Sequence, residues 1–156
     1  MLNVVIDSRE QLPYCFEKFQ DVVIHRGALA EGDYSLLGCE HSISIERKEL
    51  GDLVNCLSHD RDRFTKELNR LRPYPFRCVI VEASLTDIAR HRYRSNMLPQ
   101  AALQSVFALM VRFNIPFLFT DNRGGGEYAV YSLLAKYARE LQKQADAVTK
   151  VSAKAA

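Results

Sequence analysis

The stretch Ser42 to Lys48, SISIERK, constrains the fold of this chain more than any other. Ile43 and Ile45 alternate with Ser44 and Glu46, the period of a strand with one buried face. From Glu49 the apolar spacing becomes helical, with Leu50, Leu53, Val54 and Leu57 on one side. A strand that delivers Glu46 and Lys48 at its C-terminal end and runs straight into an amphipathic helix points to an α/β layer architecture, with polar groups gathered where strands stop.

The remaining segments fit that architecture. Leu2 to Ile6 is an apolar, β-branched run that stops at Asp7-Ser8-Arg9-Glu10, and Asp21 to His25 reads as a second short strand. Gly27 and Gly32 mark a turn, Tyr34 to Leu37 a third strand, and Gly38 to His41 the hairpin turn into Ser42. Asp60 is placed to cap a helix carrying Phe64, Leu68 and Leu71, which ends before Pro73. Arg77 to Glu82 is another buried strand, and Ser84 to His91 a short helix. Pro99 suits a first helical position, and Gln100 to Phe113 is apolar almost all round, so it must be covered on more than one side. Pro116 to Thr120 gives a last strand, Asp121 to Gly126 a glycine-rich loop, and Glu127 to Ala145 a long helix with Tyr131, Leu134, Ala135, Ala138 and Leu141 in register. Residues 1–145 thus form one domain, and 146–156 a disordered tail.

The chain has 156 residues, of which 47% are hydrophobic, enough to enclose one core. No run approaches the length of a membrane helix and the N-terminus lacks a signal peptide's pattern, so the expected location is cytoplasmic, nucleoid-associated, or nuclear. Cys15, Cys39, Cys56 and Cys78 contain no CxxC pair and share no zinc-like spacing with the histidines, which points to reduced thiols. Cys39 and His41 are the one local pair within reach of a metal. A net charge of +2 announces no polyanion partner, but its distribution is uneven. Arg61, Arg63, Lys66, Arg70, Arg72 and Arg77 crowd one segment, and Arg90, His91, Arg92 and Arg94 another. Such clusters suit phosphate contacts and equally describe a solvated helix face.

Hydrolysing a phosphodiester requires an activated water and a leaving oxygen relieved of charge, and a hard divalent ion held by carboxylates serves both needs. Across a hairpin, Asp33 at the start of one strand and Glu46 toward the end of the next lie side by side. Lys48, two residues on, projects from the same face as Glu46. The pattern is that of the PD-(D/E)xK nuclease superfamily, although acid-x-Lys on a half-exposed strand is by itself more often a surface ion pair.

Three blocks taken together resemble one family. Val4-Val5-Ile6-Asp7-Ser8-Arg9-Glu10, Gly32-Asp33-Tyr34 and Glu46-Arg47-Lys48-Glu49-Leu50-Gly51-Asp52-Leu53 are similar to the nuclease domain of the XPF-type structure-specific endonucleases, whose signature joins a GD pair to ERKxxxD. The likeness continues through Asp62-Arg63-Phe64, where the family usually has glycine in place of Asp62, and through the Arg77 to Glu82 strand.

The resemblance implies a restriction-endonuclease-like fold, a central mixed β-sheet flanked by helices. It implies a metal-dependent endonuclease cutting branched or flapped DNA, with Mg²⁺ or Mn²⁺ held by Asp7, Asp33, Glu46 and the backbone carbonyl of Arg47. Lys48 would position or deprotonate the water. Arg9, Glu10 and Arg47 would be polar groups of the site, Arg47 reaching a phosphate or a nearby carboxylate, with Asp52 behind them. Arg61, Arg63, Lys66, Arg70, Arg92 and Arg94 are the candidate DNA contacts. The family's tandem helix-hairpin-helix domain is not seen after Ala145, which shifts affinity to the basic segments, a dimer mate or a separate DNA-binding partner. A homodimer through the Gln100 to Phe113 helix and the Tyr131 to Leu141 face is expected. The alternatives are a catalytically silent DNA-binding or partner-recruiting module and a different nuclease of the superfamily, such as a junction resolvase.

Overall fold

The computed structural model describes residues 1–155, with side chains described through Lys150. The strands are β1 (Leu2–Asp7), β2 (Val22–Gly27), β3 (Tyr34–Leu36), β4 (Ile43–Lys48), β5 (Phe76–Val81) and β6 (Phe117–Phe119). The helices are α1 (Leu50–Leu57), α2 (Arg61–Leu71), α3 (Leu85–Ala89), α4 (Pro99–Phe113) and α5 (Arg123–Ala155). The sheet order is β2-β1-β3-β4-β5-β6. The β1-β2 and β4-β5-β6 pairs are parallel, whereas β3 runs antiparallel to both β1 and β4. The expected α/β fold with a central mixed sheet and flanking helices is therefore present.

Each face of the sheet carries its own core, and the alternation along β5 shows the division. Val79 and Val81 join Leu53, Phe64, Leu68 and Val106 under α1, α2 and α4. Cys78 and Ile80 turn the other way, to Ile6, Tyr34, Ile43, Ile45, Val130 and Leu134 under α5. Burial of a branched aliphatic side chain contributes about 1.5–3 kcal/mol, so these two layers fix which face every β4 residue shows. Glu46 and Lys48 face α1 and α2, while Arg47 faces Tyr14 on the α5 side.

Several local expectations change. Asp60 sits at the start of α2 but its carboxylate does not cap the helix; it accepts instead from Asn55 and Arg63. Ser84 caps α3 through a reciprocal bond pair with Asp87. The glycine-rich stretch is not a loop to Gly126, because α5 starts at Arg123, with the Asn122 side chain accepting from Gly125. Side chains there are excluded by packing: a Cβ on Gly125 would collide with the Thr120 carbonyl, and one on Gly126 with the Tyr14 hydroxyl. At its far end α5 continues through Ala155 over the stretch read as a disordered tail, 146–156, a sequence that contains neither glycine nor proline. Ala156 lies outside the described residues.

Helix α4 buries Ala102, Val106, Leu109 and Phe113 and leaves Phe107 and Val111 exposed, so within this chain it is covered on one side. The inner face of α5 covers the chain's own sheet: Tyr131 stacks on Phe19 at 3.8 Å and Leu134 is fully buried. No helix among the described residues is long and apolar enough to cross a membrane. All four cysteines are free, and Cys56 and Cys78 are buried.

Candidate active site

Asp33 is placed by a glycine. Gly32 has a φ of +77°, and a Cβ there would strike Ser44 Oγ and crowd the Ile45 carbonyl, so only glycine brings the chain this close to β4. Asp33 N–H then donates to the Ile45 carbonyl at 2.9 Å, and Tyr34 lies opposite Ile45, which sets Asp33 opposite Glu46 one step on. The Asp33 carboxylate accepts from Arg47 N–H at 2.7 Å. In an antiparallel ladder a residue's N–H and C=O face the same neighbour, so the Arg47 carbonyl looks toward Asp33 as well.

Glu46 is 5% exposed and accepts from Lys48 Nζ at 2.6 Å. Lys48 Nζ lies 3.7 Å from Glu67 on α2 and 5.4 Å from the Phe64 ring centroid. Burial, reinforced by the negative charge of Glu10 and Glu67, raises the Asp33 pKa to about 6. Burial and then the charge of Asp33 push Glu46 well above the ordinary carboxylate range. Burial alone would lower the Lys48 pKa, but Glu46 and Glu67 outweigh it and keep the ammonium charged. Two desolvated, mutually repelling carboxylates, each with one oxygen that accepts no hydrogen bond among the described residues, form a donor set with a cation deficit. Asp33, Glu46 and the Arg47 carbonyl offer hard oxygens of the type that suits a small divalent ion.

Asp7 is arranged differently. Its carboxylate accepts from Arg9 N–H and Nε, from Arg9 Nη2, and from Leu29 N–H at 3.0 Å. Those bonds, Arg9 foremost, hold its pKa down at about 2. Asp7 lines the cleft, yet both its oxygens already organise the turn after β1 and the loop at Leu29.

The Arg47 side chain does not face the cleft opening. Its guanidinium makes two hydrogen bonds to Glu82, at 2.7 and 2.9 Å, and one to Glu49 at 2.9 Å. Glu10 lies 3.5 Å from Nη1, and the Tyr14 ring flanks the guanidinium at 5.5 Å. Tyr14 donates to Glu82 at 2.6 Å. Burial opposes the ionisation of Glu82, but the bonds from Arg47 and Tyr14 prevail and keep it charged. Of the two roles open to Arg47, the structure shows the carboxylate pairing.

A cleft of about 520 Å³ joins Asp7, Arg9, Glu10, Asp33, Glu46, Arg47, Lys48 and Asp52. Asp52 stands exposed in the first turn of α1, and the hydrogen bonds and ion pairs of the Arg47 and Lys48 side chains among the described residues go to other carboxylates. Arg63 and Arg70 reach the rim, bonded to Asp60 and Glu31 respectively. Arg61 instead bonds to the Leu57 carbonyl and to Ser105 on α4, Lys66 is exposed outside the cleft, and Arg92 and Arg94 line a separate hollow. Among the described residues no group of three or more His, Cys, Asp or Glu side chains is arranged around a metal position, Cys39 and His41 included.

Sequence reading missed Glu67, Glu82 and Tyr14. Glu67 had a signal: Arg63, Glu67 and Arg70 follow one helical face, and all three line the cleft. Glu82 is the acid directly after a buried strand, and its N–H donates to the Lys48 carbonyl at 3.0 Å.

Two solved structures resemble this fold. XPF from Aeropyrum pernix superposes with a TM-score of 0.70 at 24% identity, covering 92% of this chain and 69% of that one. The structure described as XPF from Aeropyrum pernix in complex with DNA gives a TM-score of 0.69 at 25% identity, covering 90% of this chain and 66% of that one. No curated protein matches the sequence. The ERCC4 domain matches residues 6–125, which run from the end of β1 through the first turn of α5 and include every residue of the cleft, and the chain belongs to the ERCC4 domain family.

Proposed function

We propose that this chain is a divalent-metal-dependent DNA endonuclease domain that cuts branched or flapped duplexes in repair or recombination. One observation carries the reading: Asp33 and Glu46, both desolvated, sit against the Lys48 ammonium in an open cleft rimmed by Arg63 and Arg70. Membership of the ERCC4 domain family and likeness to a structure solved with DNA support it.

Mg²⁺ or Mn²⁺, when bound, supplies Lewis acidity and lowers the pKa of water. Asp33, Glu46 and the Arg47 carbonyl hold it. Lys48, charged and fixed by Glu46 and Glu67, orients the attacking water and offsets negative charge at the reacting phosphate. Arg63 and Arg70 bind neighbouring phosphates. Arg47 acts through the backbone, its side chain anchoring β4 to Glu82 so that its carbonyl keeps its direction. DNA shape and backbone contacts, rather than base edges, select the substrate.

The exposed apolar patch of α4, Phe107 and Val111, supports a homodimer through that helix. Such a protein works where DNA is, in a nucleoid or a nucleus.

The test incubates the protein with labelled flap, fork, four-way and plain duplex DNA in Mg²⁺, Mn²⁺ or EDTA, beside Glu46→Gln. Metal-dependent cutting of branched DNA, lost in the variant, is expected. Cutting confined to four-way junctions would favour a junction resolvase, and binding without cutting a silent module.

A further inference from the structure

We propose that the hollow between α1 and the loop 91–97 is a subsite for unpaired nucleotides of a single DNA strand leaving the catalytic cleft. The identity of the strand rests on the endonuclease reading, whereas the binding itself requires no cleavage. The hollow has a volume of about 880 Å³, and its lining includes Val54, His59, Tyr93, Arg94 and Met97. That is room for a nucleoside with its phosphate.

The hollow and the catalytic cleft are separate but adjacent, with Asn55 on α1 in the lining of both. A strand that places a phosphate against Glu46 and Lys48 reaches the hollow by following one to two turns of α1. The lining includes the half-buried Tyr93 ring and Met97 thioether, surfaces on which a base stacks without regard to its identity. The rim is cationic or polar. Arg94 and His59 make no hydrogen bond or ion pair among the described residues, and no carboxylate lines the hollow. The neighbouring acid, Asp87, is bonded to Arg92 at 2.7 Å. A concave floor of this kind admits an unstacked base and excludes a duplex, whose bases are already covered.

Gly51 is the independent sign of close approach. It lies in the first turn of α1, lines the hollow, has no positive φ, and a Cβ there would meet nothing within 4 Å. Glycine is a poor helix residue, and neither backbone conformation nor internal packing calls for it at this position. Its missing side chain leaves the floor open where a ring can lie against the helix backbone.

The experiment measures fluorescence anisotropy in EDTA with labelled oligothymidine and with blunt duplex. It compares wild type, Gly51→Leu, Arg94→Glu, Glu46→Gln and, as a charge control on the exposed part of α5, Arg139→Glu. Gly51→Leu and Arg94→Glu are each expected to weaken oligothymidine binding about fivefold or more, with duplex affinity changed less than about twofold for Gly51→Leu. Arg139→Glu should leave oligothymidine binding within about twofold of wild type. Thermal melting shows whether Gly51→Leu folds, and Arg94→Glu carries the test if it does not. The proposal falls if wild type does not bind oligothymidine, if both variants bind it normally, or if Gly51→Leu weakens duplex and single strand alike. If oligothymidine binding behaves as expected and wild type cuts nothing in metal, the subsite stands and the endonuclease reading falls.

Discussion

Arg47 and Glu82 close the end of the parallel β4-β5 pair with a two-pronged contact, Nε to Oε1 at 2.7 Å and Nη2 to Oε2 at 2.9 Å, between side chains that are each 6% exposed. Breaking one side strands a buried charge, although Arg47 keeps Glu49 and Glu10 as partners and Glu82 keeps Tyr14. Glu82→Gln should therefore lower folding stability by about 2–4 kcal/mol. If the contact also holds the Arg47 carbonyl in place, the variant should need more Mg²⁺ for half-maximal cutting than wild type. Denaturant unfolding together with a metal titration of activity checks both. An unchanged metal requirement would leave Arg47 and Glu82 a purely structural pair.

The burial of Asp33, reinforced by the charges of Glu10 and Glu67, sets a pH dependence for the metal-free protein. With the Asp33 pKa raised to about 6 in the folded state, folded protein binds more protons than unfolded protein between about pH 4 and 6, so stability falls as pH rises through that window. Asp7, lowered to about 2, acts in the opposite sense at more acid pH: its contribution is lost as pH falls below about 4 toward 2. Thermal melts in EDTA should thus peak in the mildly acid range. Mg²⁺ at about ten times its Kd should raise the midpoint by about 2–8 °C above pH 7 and much less near pH 5.

Asp33→Asn removes one of the two repelling charges and keeps an acceptor for Arg47 N–H. Its apo form should be about 1 kcal/mol more stable than wild type above pH 7, with cutting abolished and the Mg²⁺-induced rise in melting temperature gone. A variant that is less stable in EDTA would show that the buried pair is not under electrostatic tension.

Lys48 is held charged between Glu46 and Glu67. Lys48→Gln is expected to reduce cleavage by about 10²–10³-fold while leaving DNA affinity within about threefold, because its ammonium acts on the reacting phosphate rather than on the flanking ones. Arg63→Ala should do the reverse, reducing the salt-dependence slope of binding by about one and slowing cutting only at low enzyme concentration.

Val111 is 84% exposed on α4, with Phe107 one turn away. If copies of this chain pair through that helix, Val111→Asp should convert the dimer to a monomer in light scattering while the melting temperature changes little. A wild-type protein that is already monomeric removes the proposal.

The parts of this architecture written in local pattern were legible: the Ser42 to Lys48 alternation, its switch into α1, and the hairpin that sets Asp33 beside Glu46. What escaped was assembled by crossovers. Glu82 reaches Arg47 only because β5 lies parallel to β4 in one register, and Glu67 reaches Lys48 only because α2 lies across that face. The glycines at 124–126 were misread as a loop because low helix propensity usually governs, and here the demand for close contact with Thr120 and Tyr14 overrides it. Arg61 is a candidate DNA contact by its place in the basic segment, whereas on α2 it turns toward Ser105.

The first turn of α5 stands as thick as its bare backbone because Gly126 lies against the Tyr14 hydroxyl. From that hydroxyl the contacts run to Glu82, to Arg47 and into β4. The spacing works as a shim: add one methyl group, and the error passes along hydrogen bonds with little slack to the strand that carries Glu46. Tolerance at the cleft is thus set partly by a residue with no side chain, far along the chain and outside the cleft wall.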